Sequence, residues 1–188
     1  MTPPPRVVVG PEALAALAVP ARYAILDHLL AAGPRTASEC AGVVGESPSN
    51  CSWHLRALAK VGLVERVEPV GGDARERPWR ATAVGFDFSG GPAAAVAGRA
   101  VEAIALDRAN SLFARYIERR DDLPDDWQAA AAANEYALQL TPTELTDLVA
   151  AVDALVRPYV RPIRTDPAEG SAVAHLTLRA FLDPDLHR

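Results

Sequence analysis

The sequence predicts a mainly α (α+β) protein with an N-terminal winged helix-turn-helix, a long helix and a small C-terminal region of helices and strands. Two short helical patterns meet at a tight turn around Gly45, which is typical of a helix-turn-helix. Alternating residues on both sides of Gly71-Gly72 predict the hairpin, or wing, that follows the second helix. A helical pattern over residues 93–120 then exceeds the usual length of a globular helix.

The two helices of the helix-turn-helix have clear start signals. Thr36, with Glu39 three residues later, is a capping box that predicts a helix over residues 37–44. Ser47-Pro48 suits the N-cap and the first position of the next helix, which is expected to continue to about residue 61.

Shorter elements surround this helix pair. Helical patterns over residues 12–18 and 21–32 precede it. Alternation of apolar and polar residues predicts wing strands over residues 63–69 and 75–82. Residues 86–92 contain serine, two glycines and a proline, and are typical of a linker or a short irregular crossing.

The second half is predicted to alternate helices with short strands. The pattern over residues 93–120 favours a helix that interlocks with the same helix of a second copy. One or two further turns are expected at 127–133, and an amphipathic helix at 142–159. Alternating apolar residues predict strands around 136–140 and 173–181.

Composition and charge limit the class of protein. No apolar run is long enough to span a bilayer, and the start MTPPPRVVVG does not resemble a secretory signal. Two cysteines cannot form a disulfide scaffold, so we expect a cytoplasmic protein with no membrane partner. Residues 20–82 carry 8 basic and 7 acidic side chains, whereas residues 91–188 carry 10 and 15. The net charge of −5 therefore leaves the first half free to bind a polyanion.

The fourth predicted helix carries a polar face opposite an apolar stripe. Cys51, Leu55 and Leu58 share the side that would pack on the core. An α-helix fits the major groove of B-DNA, where polar side chains bond to base edges. The residues of this segment expected to contact DNA are Ser47, Ser49, Asn50, Ser52, Trp53, His54, Arg56 and Lys60.

Different DNA contacts are expected along this helix. Ser49, Asn50, Trp53 and His54 would contact bases, whereas Arg56 and Lys60 would hold phosphates, as cationic side chains do at many protein–DNA interfaces. The alternative is an ordinary solvated helix face.

Two arginines of the wing are further candidates. Arg75 and Arg77 lie two residues apart in a predicted strand, so they share a face that could contact the DNA backbone or minor groove. The alternative is a surface network with neighbouring glutamates. Arg80 is expected to be structural, and Trp79 to be part of the core.

Several of these segments resemble a known family. SPSNCSWHLRALAKVGLVE followed by GGDARERPWRA is similar to winged-helix regulators of the ArsR type, in particular an actinobacterial branch with Arg-Glu-Arg and Trp-Arg-Ala in its wing. LPDDWQAAAAANEYALQLTPTELTDLVAAVDALV and AHLTLRAF resemble the C-terminal half of that branch, so the resemblance covers nearly the whole chain. Pro78 departs from the pattern where an aromatic residue is usual, and Asp73-Ala74 makes the wing tip less rich in glycine.

The resemblance implies a homodimeric transcription regulator with double-stranded DNA as its partner. We expect residues 11–85 to form the winged helix-turn-helix DNA-binding domain, and residues 92–188 to serve dimerisation and effector binding. Such a dimer would bind a palindromic operator, as a repressor rather than an activator. The alternatives are a protein-interaction winged helix that does not bind DNA, and a metal-responsive repressor.

No catalytic or cofactor motif stands out in the sequence. It contains no phosphate-binding glycine loop and no nucleophile elbow, so neither an enzyme nor a cofactor is expected. Cys40 and Cys51 fall at positions predicted to be core, where cysteine behaves as a small hydrophobe. With His54 they supply three soft ligands, which is the basis of the metal-responsive alternative, but no metal site is expected.

The C-terminal half is larger than a dimerisation helix requires. Our hypothesis is that it forms, with the long helix and its dimer mate, an apolar pocket for a small organic effector. The candidate lining residues are four aromatic side chains, those of Phe113, Tyr116, Trp127 and Tyr136. The alternative for each of them is an ordinary place in the core.

Overall fold

The computed structural model describes residues 7–67, 77–87, 95–164 and 166–185. The chain divides into two compact units, Met1–Arg108 with Val160–Val173 and Ala109–Tyr159 with Ala174–Arg188. The mainly helical class is confirmed, with an N-terminal helix-turn-helix, a two-stranded wing, a long helix and later helices.

The first unit contains the helix-turn-helix and the wing. Its elements in chain order are β1 (Val7–Val8), α1 (Pro11–Leu17), α2 (Pro20–Ala32), α3 (Ala37–Val44), α4 (Pro48–Lys60), β2 (Val64–Arg66), β3 (Trp79–Ala81) and β4 (Phe86–Asp87). Helix α5 (Ala95–Arg119) begins in this unit and ends in the second. The second unit adds 3-10 turns at Arg120–Asp122 and Arg157–Tyr159, and helices α6 (Asp125–Ala130) and α7 (Pro142–Val156).

Helices α3 and α4 begin and end where the sequence predicts. The Thr36 hydroxyl accepts the Glu39 backbone N–H at 3.2 Å, and the Glu39 carboxylate accepts the Thr36 N–H at 2.7 Å. Gly45 closes α3 with a φ of 69°, a left-handed conformation that glycine adopts without strain. Ser47 then caps α4 by accepting the Asn50 N–H. These local bonds set the tight turn between the two helices.

One apolar core holds the helices of the first unit together. Its fully buried side chains are those of Leu14, Leu17, Ile25, Leu26, Leu29, Cys40, Cys51, Leu55, Leu58 and Val101. Burying a side chain of leucine size contributes about 1.5–3 kcal/mol. The predicted stripe of Cys51, Leu55 and Leu58 is confirmed, and it fixes which face of α4 points outward.

The base of the wing is joined to the helix-turn-helix through the main chain. Strands β2 and β3 pair antiparallel, with Arg66 opposite Trp79. The Trp79 ring is buried, as predicted, and the Arg66 guanidinium lies 4.2 Å from its centroid. The backbone N–H of Trp79 donates to the Arg35 carbonyl at 2.7 Å, and the backbone N–H of Arg35 donates to the Trp79 carbonyl at 2.9 Å. Because Arg35 directly precedes the cap of α3, β3 is anchored beside that helix.

The expectation that residues 86–92 form a linker is wrong at its beginning. Phe86–Asp87 is strand β4, which pairs in parallel with Val7–Val8 near the start of the chain. A two-residue strand has no alternation that a sequence pattern can reveal, and its partner is almost eighty positions away. Residues 88–92 lie outside the described residues.

The two strands expected in the second half are absent from its described residues. The segments around 136–140 and 173–181 are not paired with any strand, and apolar side chains on them are exposed, with Tyr136 and Phe181 each 74% exposed. Alternation indicates which side chains share a face, but a strand also needs a neighbour for its backbone hydrogen bonds. Within this single chain the described residues offer none.

Within the part of the chain that the structure describes, no single helix is long and apolar enough to cross a membrane. The bent pair Pro11–Leu17 and Pro20–Ala32, which meets at 100°, passes the same test by length and composition only.

Candidate nucleic-acid interface

The outward face of α4 is polar and basic. Opposite the buried stripe lie five exposed side chains, those of Ser49, Asn50, Trp53, Arg56 and Lys60. Trp53 is 57% exposed, an unusual position for a large aromatic ring on the surface of a small domain. The structure therefore brings five of the eight residues predicted on this segment to one face.

Two predicted serines make bonds inside the helix instead. The Ser47 hydroxyl accepts the Asn50 backbone N–H at 3.1 Å and so serves as the cap of α4. The half-buried Ser52 hydroxyl accepts a hydrogen bond from the Arg56 guanidinium at 3.1 Å. Ser52 thus lies at the edge of the exposed face and orients Arg56.

His54 is not on the exposed face, which corrects the prediction that it contacts bases. It is 8% exposed, because it lies one helical turn before the buried Leu58. Burial lowers the pKa of His54; Glu46 opposes this effect and Arg22 adds to it. The imidazole meets the Trp53 ring edge-on, with 5.0 Å between centroids. His54 therefore lies beneath the exposed face, where it packs against the Trp53 ring.

Arg22 of α2 contacts the exposed face of α4, a contact that sequence analysis did not predict. Its guanidinium carbon lies 4.8 Å from the centroid of the Trp53 ring, and its Nη1 donates to the Ala16 carbonyl at 3.2 Å. A cation over an aromatic face is stabilising and limits how the ring can turn. The helical periodicity of α2 could not reveal this contact, because it joins different helices.

Glu46, in the turn before α4, is a second residue that sequence analysis missed. Its carboxylate accepts a hydrogen bond from the Asn50 side-chain amide, with 2.8 Å between Asn50 Nδ2 and Glu46 Oε2. Glu46 is half-buried, whereas Asn50 is exposed. The only signal in the sequence is the four-residue spacing between them, which in a helix brings side chains together.

The wing residues are only partly described. Arg75 lies outside the described residues. Arg77 is exposed, and its carbonyl accepts a hydrogen bond from the Arg66 guanidinium at 2.5 Å. Arg80 forms an ion pair with Glu65 on the neighbouring strand, with 2.7 Å between Arg80 Nη2 and Glu65 Oε1.

Burial disfavours the thiolate form of both cysteines. Cys40 and Cys51 are fully buried. Burial raises the pKa of Cys40 to about 11 and also raises that of Cys51, which disfavours the thiolate that binds metal. Over residues 7–67, 77–87, 95–164 and 166–185, no group of three or more His, Cys, Asp or Glu side chains is placed to hold a metal ion.

The second unit contains an open cleft of about 430 Å³. Phe113 and Tyr116 line it, with their rings stacked at 5.9 Å between centroids. Arg120, Asp121 and Gln128 add polar groups to the same lining. Trp127 and Tyr136, the other two aromatic residues predicted for a pocket, are not among its lining residues.

A tight turn between two short helices, a polar outward face on the second helix and a two-stranded wing define a winged helix-turn-helix, a class of DNA-binding domain. A family model described as a helix-turn-helix domain matches residues 17–67. Among solved structures, the crystal structure of RV1404 from Mycobacterium tuberculosis is similar, with 19% sequence identity and a TM-score of 0.33 over 78% of this chain and 81% of that one. No curated protein matches the chain.

Proposed function

We propose that this chain is a sequence-specific transcription regulator of the ArsR type, which binds a palindromic operator as a homodimer and represses transcription. The observation that carries the proposal is the exposed face of α4, where Asn50, Trp53, Arg56 and Lys60 stand outward on the second helix of a helix-turn-helix. A cytoplasmic location follows from that role.

Each group on this face has a distinct part in the proposed complex. Asn50 and Trp53 contact base edges in the major groove, where an asparagine amide forms paired hydrogen bonds and an aromatic ring packs on a thymine methyl group. Arg56 and Lys60 hold phosphates. Ser49 is small enough to let the backbone at the start of α4 approach the DNA. Arg75 and Arg77 extend the contact through the wing.

A second copy of the chain is the proposed partner of α5. This helix of 25 residues leaves apolar side chains exposed along its length, those of Val96, Leu106, Phe113 and Ile117. Exposed apolar surface of this kind marks an interaction site. In the proposed arrangement residues 11–85 form the DNA-binding domain and residues 92–188 the dimerisation and effector-binding region. The two α4 helices then enter half-sites about 34 Å apart.

A small organic molecule is the proposed effector, and its binding releases the operator. The cleft beside Phe113 and Tyr116 supports this part of the proposal, since it combines stacked aromatic rings with a few polar groups. A thermal-shift screen of small organic compounds tests it. A hit must raise the Tm of the wild type, must lose that effect in Phe113→Ala, and must weaken DNA binding.

Fluorescence anisotropy tests the DNA-binding proposal. The full chain is titrated with labelled DNA from its own upstream region and with scrambled DNA, each at two salt concentrations. We expect tighter binding to the upstream DNA and a linear fall of log affinity with log salt concentration. Arg56→Ala and Lys60→Ala should each weaken binding to both DNAs and reduce the salt slope by about 0.9.

A matched variant separates a lost contact from a general loss of charge. Arg179→Ala removes one exposed arginine outside the helix-turn-helix and should leave the affinity and the salt slope unchanged. If the wild type binds neither DNA at low salt, with or without effector candidates, the regulator proposal fails. A protein-interaction winged helix would then be the better explanation.

A further inference from the structure

We propose that Glu46 is a positioning residue that makes Asn50 selective for adenine, so that each operator half-site has an adenine facing Asn50. This inference rests on the proposed function, because it specifies which base the exposed face of α4 prefers.

The observation is a side-chain amide that is fixed before DNA arrives. Asn50 Nδ2 donates to Glu46 Oε2 at 2.8 Å, while the Asn50 backbone N–H donates to the Ser47 hydroxyl at 3.1 Å. Both the main chain and the amide of Asn50 are thereby held at the start of α4. The amide remains exposed, on the side of the helix that would enter the major groove.

The chemistry of the partner decides which way the amide faces. An ionised carboxylate can only accept hydrogen bonds, so it selects the NH₂ group of Asn50 and repels the carbonyl oxygen. Turning the amide over would place two oxygens against each other. With Glu46 in place, Asn50 keeps its carbonyl oxygen and its second N–H for an external partner.

Those two remaining groups match one base. Adenine presents an N6–H donor and an N7 acceptor in the major groove, which pair with the Asn50 oxygen and N–H respectively. Guanine presents two acceptors at the same edge, so its O6 would meet the Asn50 oxygen. A freely rotating amide can turn over to suit either base, whereas one held by Glu46 must first break its hydrogen bond to the carboxylate.

Glu46 also has an electrostatic effect of opposite sign. A carboxylate on a surface that faces a polyanion weakens binding to DNA of every sequence. Removing its charge should therefore raise affinity for random DNA and lower selectivity at the Asn50 position. A residue that only stabilised the fold would not produce this combination.

The experiment uses the full chain and a pool of random duplexes. Selection with the wild type gives the preferred site, and selection with Asn50→Ala shows which position loses its preference. At that position we expect the wild type to favour adenine over guanine by about tenfold or more. Glu46→Gln should reduce this ratio to about threefold, because an amide can accept from the Asn50 NH₂ or donate to its oxygen. Its affinity for random DNA should exceed that of the wild type, because a negative charge facing the polyanion has been removed.

Two further measurements keep the outcomes distinct. Glu46→Gln is nearly isosteric and should keep the wild-type Tm, which excludes misfolding as the cause of lost selectivity. Glu46→Ala removes the acceptor completely and should lose most of the preference. If the wild type selects another base at the Asn50 position, or if both variants keep the adenine preference, the role of Glu46 is refuted while DNA binding stands. If no duplex is selected at all, the proposed function fails and the inference fails with it.

Discussion

The ion pair between Arg108 of α5 and Asp27 of α2 should stabilise the first unit. Arg108 Nε lies 2.6 Å from Asp27 Oδ2, and the two side chains are only 26% and 29% exposed. Exposed ion pairs contribute about 0.2–1 kcal/mol, whereas hydrogen bonds to charged groups contribute about 1.5–3 kcal/mol. Because most of each side chain is buried and the contact is a direct hydrogen bond, we expect a coupling energy of about 1–2 kcal/mol.

A double-mutant cycle measures this coupling. Asp27→Ala, Arg108→Ala and the double variant are unfolded in urea and followed by far-UV circular dichroism. Each single variant should lose more free energy of unfolding than the coupling alone, because it leaves the other charge half-buried without its partner. Arg115→Ala removes an exposed arginine from the same helix and should change stability by less than about 0.5 kcal/mol. A coupling energy below about 0.5 kcal/mol would show that solvent screens the pair despite its burial.

Three further predictions concern other parts of the first unit. Thr36→Ala should lower the free energy of unfolding by about 1 kcal/mol in urea, whereas Thr36→Ser should retain the cap. Cys40 and Cys51 should react with an alkylating reagent far more slowly in the folded protein than in urea, because burial raises the pKa of Cys40 to about 11 and also raises that of Cys51; equal rates would contradict their burial. The pKa of His54 is lowered on folding, so the unfolded chain binds more protons as the pH falls below about 6.5 and stability decreases. The drop in Tm between about pH 7.5 and about pH 5.5 should be smaller in His54→Gln than in the wild type, and an equal drop would contradict this.

Local signals predicted the helix-turn-helix well. The Thr36 capping box, the glycine at 45 and the Ser47 cap act through atoms within three or four residues of each other, so the sequence contains everything that they need. The outward face of α4 was predicted from the 3.6-residue period of the α-helix, which placed Cys51 and Leu58 on the side buried in the core.

Elements that depend on distant partners were harder to predict. Strand β4 forms because it pairs with Val7–Val8, and no pattern within Phe86–Asp87 predicts that pairing. The opposite error occurred around residues 136–140. Apolar and polar residues alternate there, but within the described residues no neighbouring strand pairs with this segment. Alternation is thus a property of the segment, whereas pairing is a property of the fold.

Contacts between elements also account for what was missed on the exposed face of α4. Arg22 contacts Trp53 from another helix, and Glu46 accepts a hydrogen bond from Asn50 from the turn before α4. The His54 side chain was expected to be accessible to DNA, but it lies so close to the buried stripe of α4 that it is itself buried. Helical periodicity gives the direction of a side chain, and only packing decides whether solvent reaches it.

The main-chain bonds between Trp79 and Arg35 bear on how such a domain can diverge in evolution. Backbone groups make these bonds, so any residue except proline, which has no backbone N–H, can stand at position 35 without loosening them. Strand β3 is paired on one side with β2 and on the other with Arg35, so the base of the wing is tied to the segment that begins α3 by main-chain bonds alone. Descendants of such a sequence can therefore change the side chain at position 35 while inheriting the placement of β3 beside α3.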